Sequence, residues 1–139
     1  MPQVDTPAHL KAALLAAKGV YLPDPVKATA GIHFMGILKK LNIDETVANR
    51  LRPFPNGATA MREMAASDET GLIGCTQVTE IIFASGVDLV ARLPQELELV
   101  TVYTAAVCAR SDQPQAAMIL IDLLTSSQVS QLRLDGGFE

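Results

Sequence analysis

The stretch that decides the fold is VYLPDPVKATAGIHFMGILKKLNI, residues 20–43. It begins with a short apolar run, Val20–Leu22, which predicts a strand that stops at Pro23–Asp24–Pro25, because proline cannot continue a central ladder. Small residues follow and lead into a predicted helix that ends near Asn42. The residues expected on the inward side of this helix are Ile32, Met35, Leu38 and Leu41. A strand joined to a helix by a short loop is the repeating unit of α/β proteins.

The same alternation of strand and helix continues along the chain. The further predicted strands are Leu51–Phe54, Leu72–Thr76, Val87–Leu93 and Val100–Ala109. The last of them is apolar throughout, so we expect it to lie in the centre of the sheet. Strands that alternate with helices imply right-handed crossovers and a mostly parallel sheet with helices on both faces. The predicted fold class is therefore α/β, a three-layer αβα sheet in a single domain over residues 1–139.

Both ends of the chain carry helix signals. Thr6 is suited to cap a first helix that would end at Lys18–Gly19. Near the C-terminus, Gln113–Pro114 predicts the start of a strong helix. Its expected inward residues are Ala117, Leu120, Ile121 and Leu124. Thr125 and Gln128 have the spacing of a capping box and predict a last helix, which Gly136–Gly137 would end.

Composition and charge exclude several classes of function. The net charge is −4 and no basic face is visible, so we expect no nucleic-acid partner. No apolar run approaches the roughly 18 residues of a membrane span. The N-terminal MPQVDTPAHL lacks the charged start and apolar core of a secretion signal. The chain is then either a cytoplasmic protein or a segment excised from a longer one, and we favour excision.

The two cysteines leave the compartment open. Cys75 and Cys108 each lie in an apolar run, which favours two buried, reduced thiols. A disulfide between adjacent strands is the alternative, and it requires Cα atoms within about 7 Å of each other.

No pattern of a catalytic or metal site is found. His9 and His33 fall in predicted helices without the spacing of metal ligands, and the acidic pairs Asp44–Glu45 and Asp68–Glu69 fall in polar turns. The sequence contains no nucleophile elbow, phosphate-binding loop, dinucleotide fingerprint or zinc-protease motif. We therefore expect a protein that is not an enzyme and has no catalytic residues, no cofactor and no metal.

Two loops of small residues offer backbone chemistry instead. Thr29–Ala30–Gly31 and Asn56–Gly57–Ala58–Thr59 each follow a predicted strand and run into a predicted helix. The first-turn N–H groups of a helix have no partner inside the helix, and the helix dipole adds partial positive charge there. Small residues let an anion approach those groups. Ligands of parallel sheets lie beyond the carboxyl ends of the strands, so the two loops predict a site for an oxyanion.

Three stretches, residues 21–43, 71–82 and 101–139, resemble the second half of periplasmic molybdate-binding proteins. These proteins are two-lobed receptors of ABC importers with the type II periplasmic binding fold. The matching motifs are Asp24–Pro25, Ala30–Gly31–Ile32, Pro114–Gln115–Ala116–Ala117, Thr125–Ser126 and Gly137–Phe138. The resemblance implies one lobe of such a receptor, a small anionic ligand, a periplasmic location and an ABC permease as partner of the full-length protein.

The resemblance also implies ligand contacts at particular positions. Ala30, between Thr29 and Gly31, matches a family residue that donates its backbone amide to a tetrahedral oxyanion. Thr59, or its neighbour Ala58, matches a second such residue. A third family contact is a tyrosine hydroxyl, and here Gln77 stands in its place.

By this resemblance, the chain corresponds to the second lobe of such a receptor and does not contain the first. The helices of residues 113–139 are therefore expected to pack on that lobe or on a partner chain, and a homodimer would bury residues 113–134. The alternative is a stand-alone, non-catalytic sensor or interaction domain on the same fold.

Overall fold

The structure, a computed structural model, describes residues 1–138. The chain divides into two compact units, the first of residues 1–99 and the second from Val100 onward. None of the described helices is both long and apolar enough to cross a membrane.

The first unit contains a parallel three-stranded sheet and five helices. Its elements are α1 (Pro7–Ala16), β1 (Gly19–Pro23), α2 (Thr29–Lys40), α3 (Asp44–Val47), β2 (Leu51–Phe54), α4 (Gly57–Ala65), β3 (Leu72–Gly74) and α5 (Val78–Ile82). The strand order is β2-β1-β3, and both neighbours run parallel to β1. The predicted α/β fold class with a parallel sheet is confirmed.

Side chains of the central strand divide the core into two layers. Val20 and Leu22 point to one face of the sheet and pack with α1, α2 and α3. Tyr21 points to the opposite face and packs with Ala60 and Met61 of α4. Because successive side chains of a strand alternate between faces, β1 alone is enough to attach helices to both sides. The result is the three-layer arrangement that the sequence predicts.

The inward side of α2 agrees with the prediction at Leu38 and Leu41, which are buried, and differs from it at Ile32. The buried residues are Gly31, Phe34, Ile37 and Leu38, whereas Ile32 is 51% exposed. The prediction for Ile32 was wrong because it used side-chain hydrophobicity alone. A glycine has no side chain to bury, yet Gly31 lies against the end of β1 and fixes the rotation of the helix about its axis.

The first helix begins as predicted and ends earlier. The hydroxyl of Thr6 accepts a hydrogen bond from the His9 amide at 3.1 Å, which confirms the N-cap. The helix ends at Ala16 with Ala17 as its C-cap, and Gly19 is the first residue of β1 rather than a cap.

The two predicted strands of residues 87–93 and 100–109 do not form. Among the described residues, neither segment pairs with a strand. An apolar segment becomes a strand only when a neighbour accepts its backbone hydrogen bonds, and sequence alone cannot show whether one is present. Instead, a short 3₁₀ turn at Gln95–Leu97 buries Leu97 in the core, and His33 Nε2 lies 2.8 Å from the Leu97 carbonyl oxygen.

The second unit contains α6 (Pro114–Thr125), a 3₁₀ turn (Ser127–Val129) and α7 (Ser130–Asp135). The start of α6 is confirmed, but the expected inward residues Leu120 and Leu124 are 54% and 53% exposed. The capping box is wrong, since the Thr125 hydroxyl donates back to the Ile121 carbonyl at 2.9 Å. That residues 113–139 pack on another lobe or partner chain stays a prediction.

Both cysteines are free. Cys75 is partly buried beside the core of the first unit, and desolvation of its thiol raises the pKa to about 12. Cys108 is exposed, so the expectation that it is buried was wrong.

Candidate functional site

The loops beyond the carboxyl ends of the three strands form the candidate site, which we call the carboxyl edge. Strand β1 leads to α2, β2 leads to α4 and β3 leads to α5. Because the three strands are parallel, the starts of these helices lie at the same edge of the sheet. The six predicted ligand residues are all there, namely Thr29, Ala30, Gly31, Ala58, Thr59 and Gln77.

The start of α2 has no side-chain cap. Its N-cap is Ala28, in an extended conformation with φ −93° and ψ 129°, and alanine has no acceptor for the first-turn amides. Thr29 is exposed and Ala30 is half-buried, so an anion can approach this turn from solvent. First-turn N–H groups have no partner within the helix, and the use of these amides by an anion stays a prediction.

Gly31 holds this helix start against the end of the central strand. A Cβ atom added to Gly31 would lie 2.5 Å from the Pro23 carbonyl oxygen and 2.3 Å from that of Asp24. These are backbone atoms at the exit of β1, so only glycine allows the approach. The loop between them is fixed by the Asp24 carboxylate, which accepts from the amides of Val26 and Lys27 at 2.8 and 3.0 Å. Those two hydrogen bonds lower the pKa of Asp24.

The start of α4 is different, because side chains already bind its amides. Asn56, the N-cap, accepts from the Thr59 amide through Oδ1 at 2.8 Å. Glu80 accepts from the Ala58 amide through Oε1 at 3.2 Å. Two of the donors predicted for the ligand are thus engaged within the protein.

Gly57 makes room for the Glu80 carboxylate. The second carboxylate oxygen, Oε2, accepts a hydrogen bond from the Thr76 hydroxyl. A Cβ atom on Gly57 would lie 1.9 Å from that hydroxyl oxygen and 2.1 Å from Oε2. Glycine at this position therefore leaves room for the contact between α4 and the β3–α5 turn.

Sequence reasoning missed Glu80. The signal was its place in the first turn of the helix that follows β3, four residues after Thr76, where a carboxylate is favoured by the helix dipole. The nearby Gln77, which was predicted instead, is the N-cap of α5 and is half-buried.

An open groove of about 560 Å³ runs between α4 and α5 next to this carboxylate. Its lining residues are Ala58, Arg62, Thr79, Glu80, Phe83, Ala84 and Ser85. Arg62 brings a cation to the groove, and Phe83, which is 78% exposed, brings an aromatic face. The volume falls within the range of small-molecule sites.

A second polar cluster lies away from this edge. Arg52 of β2 donates to both oxygens of Glu69, at 3.0 and 2.7 Å, and to the Tyr21 hydroxyl at 2.9 Å. The guanidinium lowers the pKa of Glu69. Since Glu69 precedes β3, the cluster ties the α4–β3 loop to the sheet. No group of three or more metal-binding side chains occurs within residues 1–138.

Residues 2–139 match the family of bacterial extracellular solute-binding proteins. The chain belongs to that family. The resemblance to receptors of this kind is confirmed at the family level, and the three-layer first unit is consistent with one lobe of a solute-binding protein.

One curated relative matches nearly the whole chain. It is an aconitate isomerase from Pseudomonas sp, 25% identical over 139 residues, which are 99% of this chain and 51% of that protein. The present chain therefore spans about half the length of the relative. No solved structure matches the chain.

Proposed function

We propose that this chain is a lobe of a solute-binding protein that holds a small anion at the carboxyl edge through backbone amides. The observation that carries the proposal is the uncapped start of α2, directly beyond the end of the central strand. The amides of Thr29, Ala30 and Gly31 provide hydrogen bonds and the positive end of the helix dipole without a cationic side chain. The ligand class is a small oxyanion such as molybdate or tungstate, or a related organic anion.

Ala58, Thr59 and Gln77 take a secondary part in this proposal. The amides of Ala58 and Thr59 reach a ligand only when Glu80 and Asn56 give up their hydrogen bonds. A ligand first held at α2 then completes its contacts at α4, and the Gln77 amide group donates from α5. In the full-length receptor, the partners are a first lobe across the cleft and an ABC permease, and the location is periplasmic.

Nuclear magnetic resonance of the ¹⁵N-labelled chain tests the ligand class. Titration with molybdate, tungstate and aconitate is expected to shift the amides of Thr29, Ala30 and Gly31, with sodium chloride at equal ionic strength as the control. A single lobe leaves the ligand open to water, so we expect dissociation constants of about 1 mM or weaker. Absence of shifts at α2 with all three anions would reject the proposal.

The relative named aconitate isomerase raises a second candidate, an isomerase. The structure offers it two acidic side chains at the carboxyl edge, and both are engaged within the protein. Glu80 is bound by Ala58 and Thr76, and Asp24 by the amides of Val26 and Lys27. We propose that the chain by itself is not an enzyme. Proton spectra of aconitate incubated with the chain are expected to show no isomerisation above that in buffer. A rate that disappears in Glu80→Gln would establish the enzyme instead.

The second unit supplies a candidate partner surface. Apolar side chains of α6 are exposed, among them Met118, Ile119, Leu120, Leu123 and Leu124. Apolar surface of this kind is usually covered in the assembled protein. For the isolated chain we propose a homodimer through residues 113–134. Light scattering at micromolar concentration checks this, and the mass of one chain would contradict it.

The remaining alternative is a non-catalytic sensor or interaction domain that works without a permease. Gene context separates it from the receptor lobe. An upstream first lobe in the same reading frame and a neighbouring permease gene favour the receptor, whereas an isolated short reading frame favours the sensor.

A further inference from the structure

Glu80 occupies the start of α4 as a bound anion would. Its Oε1 lies 3.2 Å from the Ala58 amide nitrogen, and its Oε2 accepts from the Thr76 hydroxyl. The carboxylate reaches this position because Gly57 has no side chain. An N–H group makes one strong hydrogen bond at a time. Glu80 and an external anion therefore compete for the Ala58 amide.

The groove between α4 and α5 offers this carboxylate a second position. Glu80 and Arg62 both line it, so a cation and open volume lie next to the carboxylate. The Arg62 side chain is 69% exposed, and its contact with Glu63 is long, at 3.4 Å. A guanidinium has five N–H donors, so Arg62 can donate hydrogen bonds to a further carboxylate.

We propose that Glu80 is an internal competitor of the ligand, which blocks the start of α4 until an anion displaces its carboxylate towards Arg62. This inference rests on the proposed function, because it requires an anion at the carboxyl edge. Like charges repel each other, so the Glu80 carboxylate lowers the affinity for any anion that approaches the Ala58 amide. Displacement also removes the hydrogen bond that joins α5 to α4, so ligand binding loosens α5.

Titration of the ¹⁵N-labelled chain of 139 residues with sodium molybdate tests the competitor, with the amides of Ala58 and Ala30 as separate reporters. In Glu80→Ala we expect binding at Ala58 to be on the order of tenfold tighter than in the wild type, because one charge and one acceptor are removed. Glu80→Gln keeps an acceptor oxygen and loses the charge, so its affinity should lie between the two. Glu45→Gln, the same charge change at an exposed position of α3, is the matched control and should bind like the wild type.

The two reporters keep the competitor and the proposed function distinguishable. Shifts at Ala30 with no gain at Ala58 in Glu80→Ala reject the competitor and leave the proposed function standing. Shifts at Ala58 that strengthen in Glu80→Ala without any at Ala30 support the competitor and contradict the role of α2. Absence of shifts at both amides in all variants rejects both. Should Glu80→Ala lose the dispersed spectrum of a folded chain, Glu80→Gln and Glu45→Gln decide the comparison.

Arg62→Gln tests where the displaced carboxylate goes. In the wild-type background, this substitution should weaken anion binding at Ala58 by about threefold, since it removes the exposed cation to which the displaced Glu80 carboxylate moves. In the Glu80→Ala background, it should have no effect, because no carboxylate remains to be received. Equal weakening in both backgrounds would show that Arg62 binds the anion directly, and the displacement route would be wrong.

Discussion

The starts of α2 and α4 have similar sequences and different chemistry. Each is a run of small residues between a parallel strand and a helix, and each lies at the carboxyl edge. The start of α2 is uncapped, whereas that of α4 is capped by Asn56 and bound by the carboxylate of Glu80. Small residues at a helix start therefore leave room for an anionic group. They do not indicate whether that group is a ligand or a carboxylate side chain of the protein.

Glycine has a different role at each start, and substitution at Gly31 should give the largest effect. A Cβ atom there would lie 2.3–2.5 Å from backbone carbonyl oxygens, which cannot move without shifting β1. We expect Gly31→Ala to lower the free energy of unfolding by about 2–4 kcal/mol. Urea denaturation followed by circular dichroism measures this.

Gly36 is the matched control on the same helix. A Cβ atom at Gly36 meets nothing within 4 Å, and alanine has the higher helix propensity. Gly36→Ala should raise the free energy of unfolding by about 0.5–1 kcal/mol. If Gly31→Ala were as harmless as Gly36→Ala, the close contact of α2 with the strand exit would be wrong.

Gly57→Ala should have a smaller effect than Gly31→Ala. The added Cβ meets the Thr76 hydroxyl and the Glu80 carboxylate, which are ends of side chains and can rotate away. We expect the free energy of unfolding to fall by about 1–2 kcal/mol and the hydrogen bond between Glu80 and the Ala58 amide to break. Urea denaturation gives the energy and the Ala58 amide shift reports the broken bond. An unchanged Ala58 shift would show that Glu80 keeps its place despite the methyl group.

Removing the N-cap side chain of α4 and adding one to α2 should change the free energy of unfolding in opposite directions and by similar amounts. Asn56→Ala removes the acceptor of the Thr59 amide and should cost about 1 kcal/mol. Ala28→Ser adds an acceptor in the extended conformation that N-caps adopt, and should stabilise α2 by about 0.5–1 kcal/mol. The same serine should weaken anion binding at Ala30 by competing for the first-turn amides. Denaturation and amide titration measure the two effects, and tighter anion binding in Ala28→Ser would contradict the competition.

The smallest effect concerns the pH dependence of the loop before α2. Two backbone amides lower the pKa of Asp24 below its ordinary value of 3.8. Its stabilising contribution is therefore present above that pH and is lost as the pH falls through the lowered pKa. A carbon-13 titration of the Asp24 carboxyl group should give a midpoint below 3.8. Asp24→Asn keeps the acceptor oxygen and should remove only the pH dependence, and a midpoint at or above 3.8 would contradict the loop geometry.

The first half of the fold was largely predictable because its signals are local. The ends of β1 and β2, the N-cap Thr6 and the break at Asn42 each depend on residues within one turn of the chain. The predicted strands of residues 87–93 and 100–109 failed for the opposite reason, since a strand depends on a neighbour distant in sequence.

The candidate site was predictable in position and only partly in chemistry. Parallel strands bring their carboxyl ends to one edge, so the locations of Thr29–Gly31, Ala58–Thr59 and Gln77 followed from the alternation of strand and helix. The engagement of the Ala58 amide by Glu80 joins residues 22 positions apart. Helix and strand periodicity describe neighbours along the chain and contain no information on such a contact.

The sequence by itself determined the α/β class, the parallel order of strand and helix, and the small residues at the starts of two helices. Only the tertiary structure decided which helix start has its amides bound by a side chain of another helix. That depends on the carboxylate of Glu80 and on Gly57, which leaves room for it. The physical reason is that propensity and capping act over a few residues, whereas occupation of a backbone donor depends on every group that folding brings within hydrogen-bond distance.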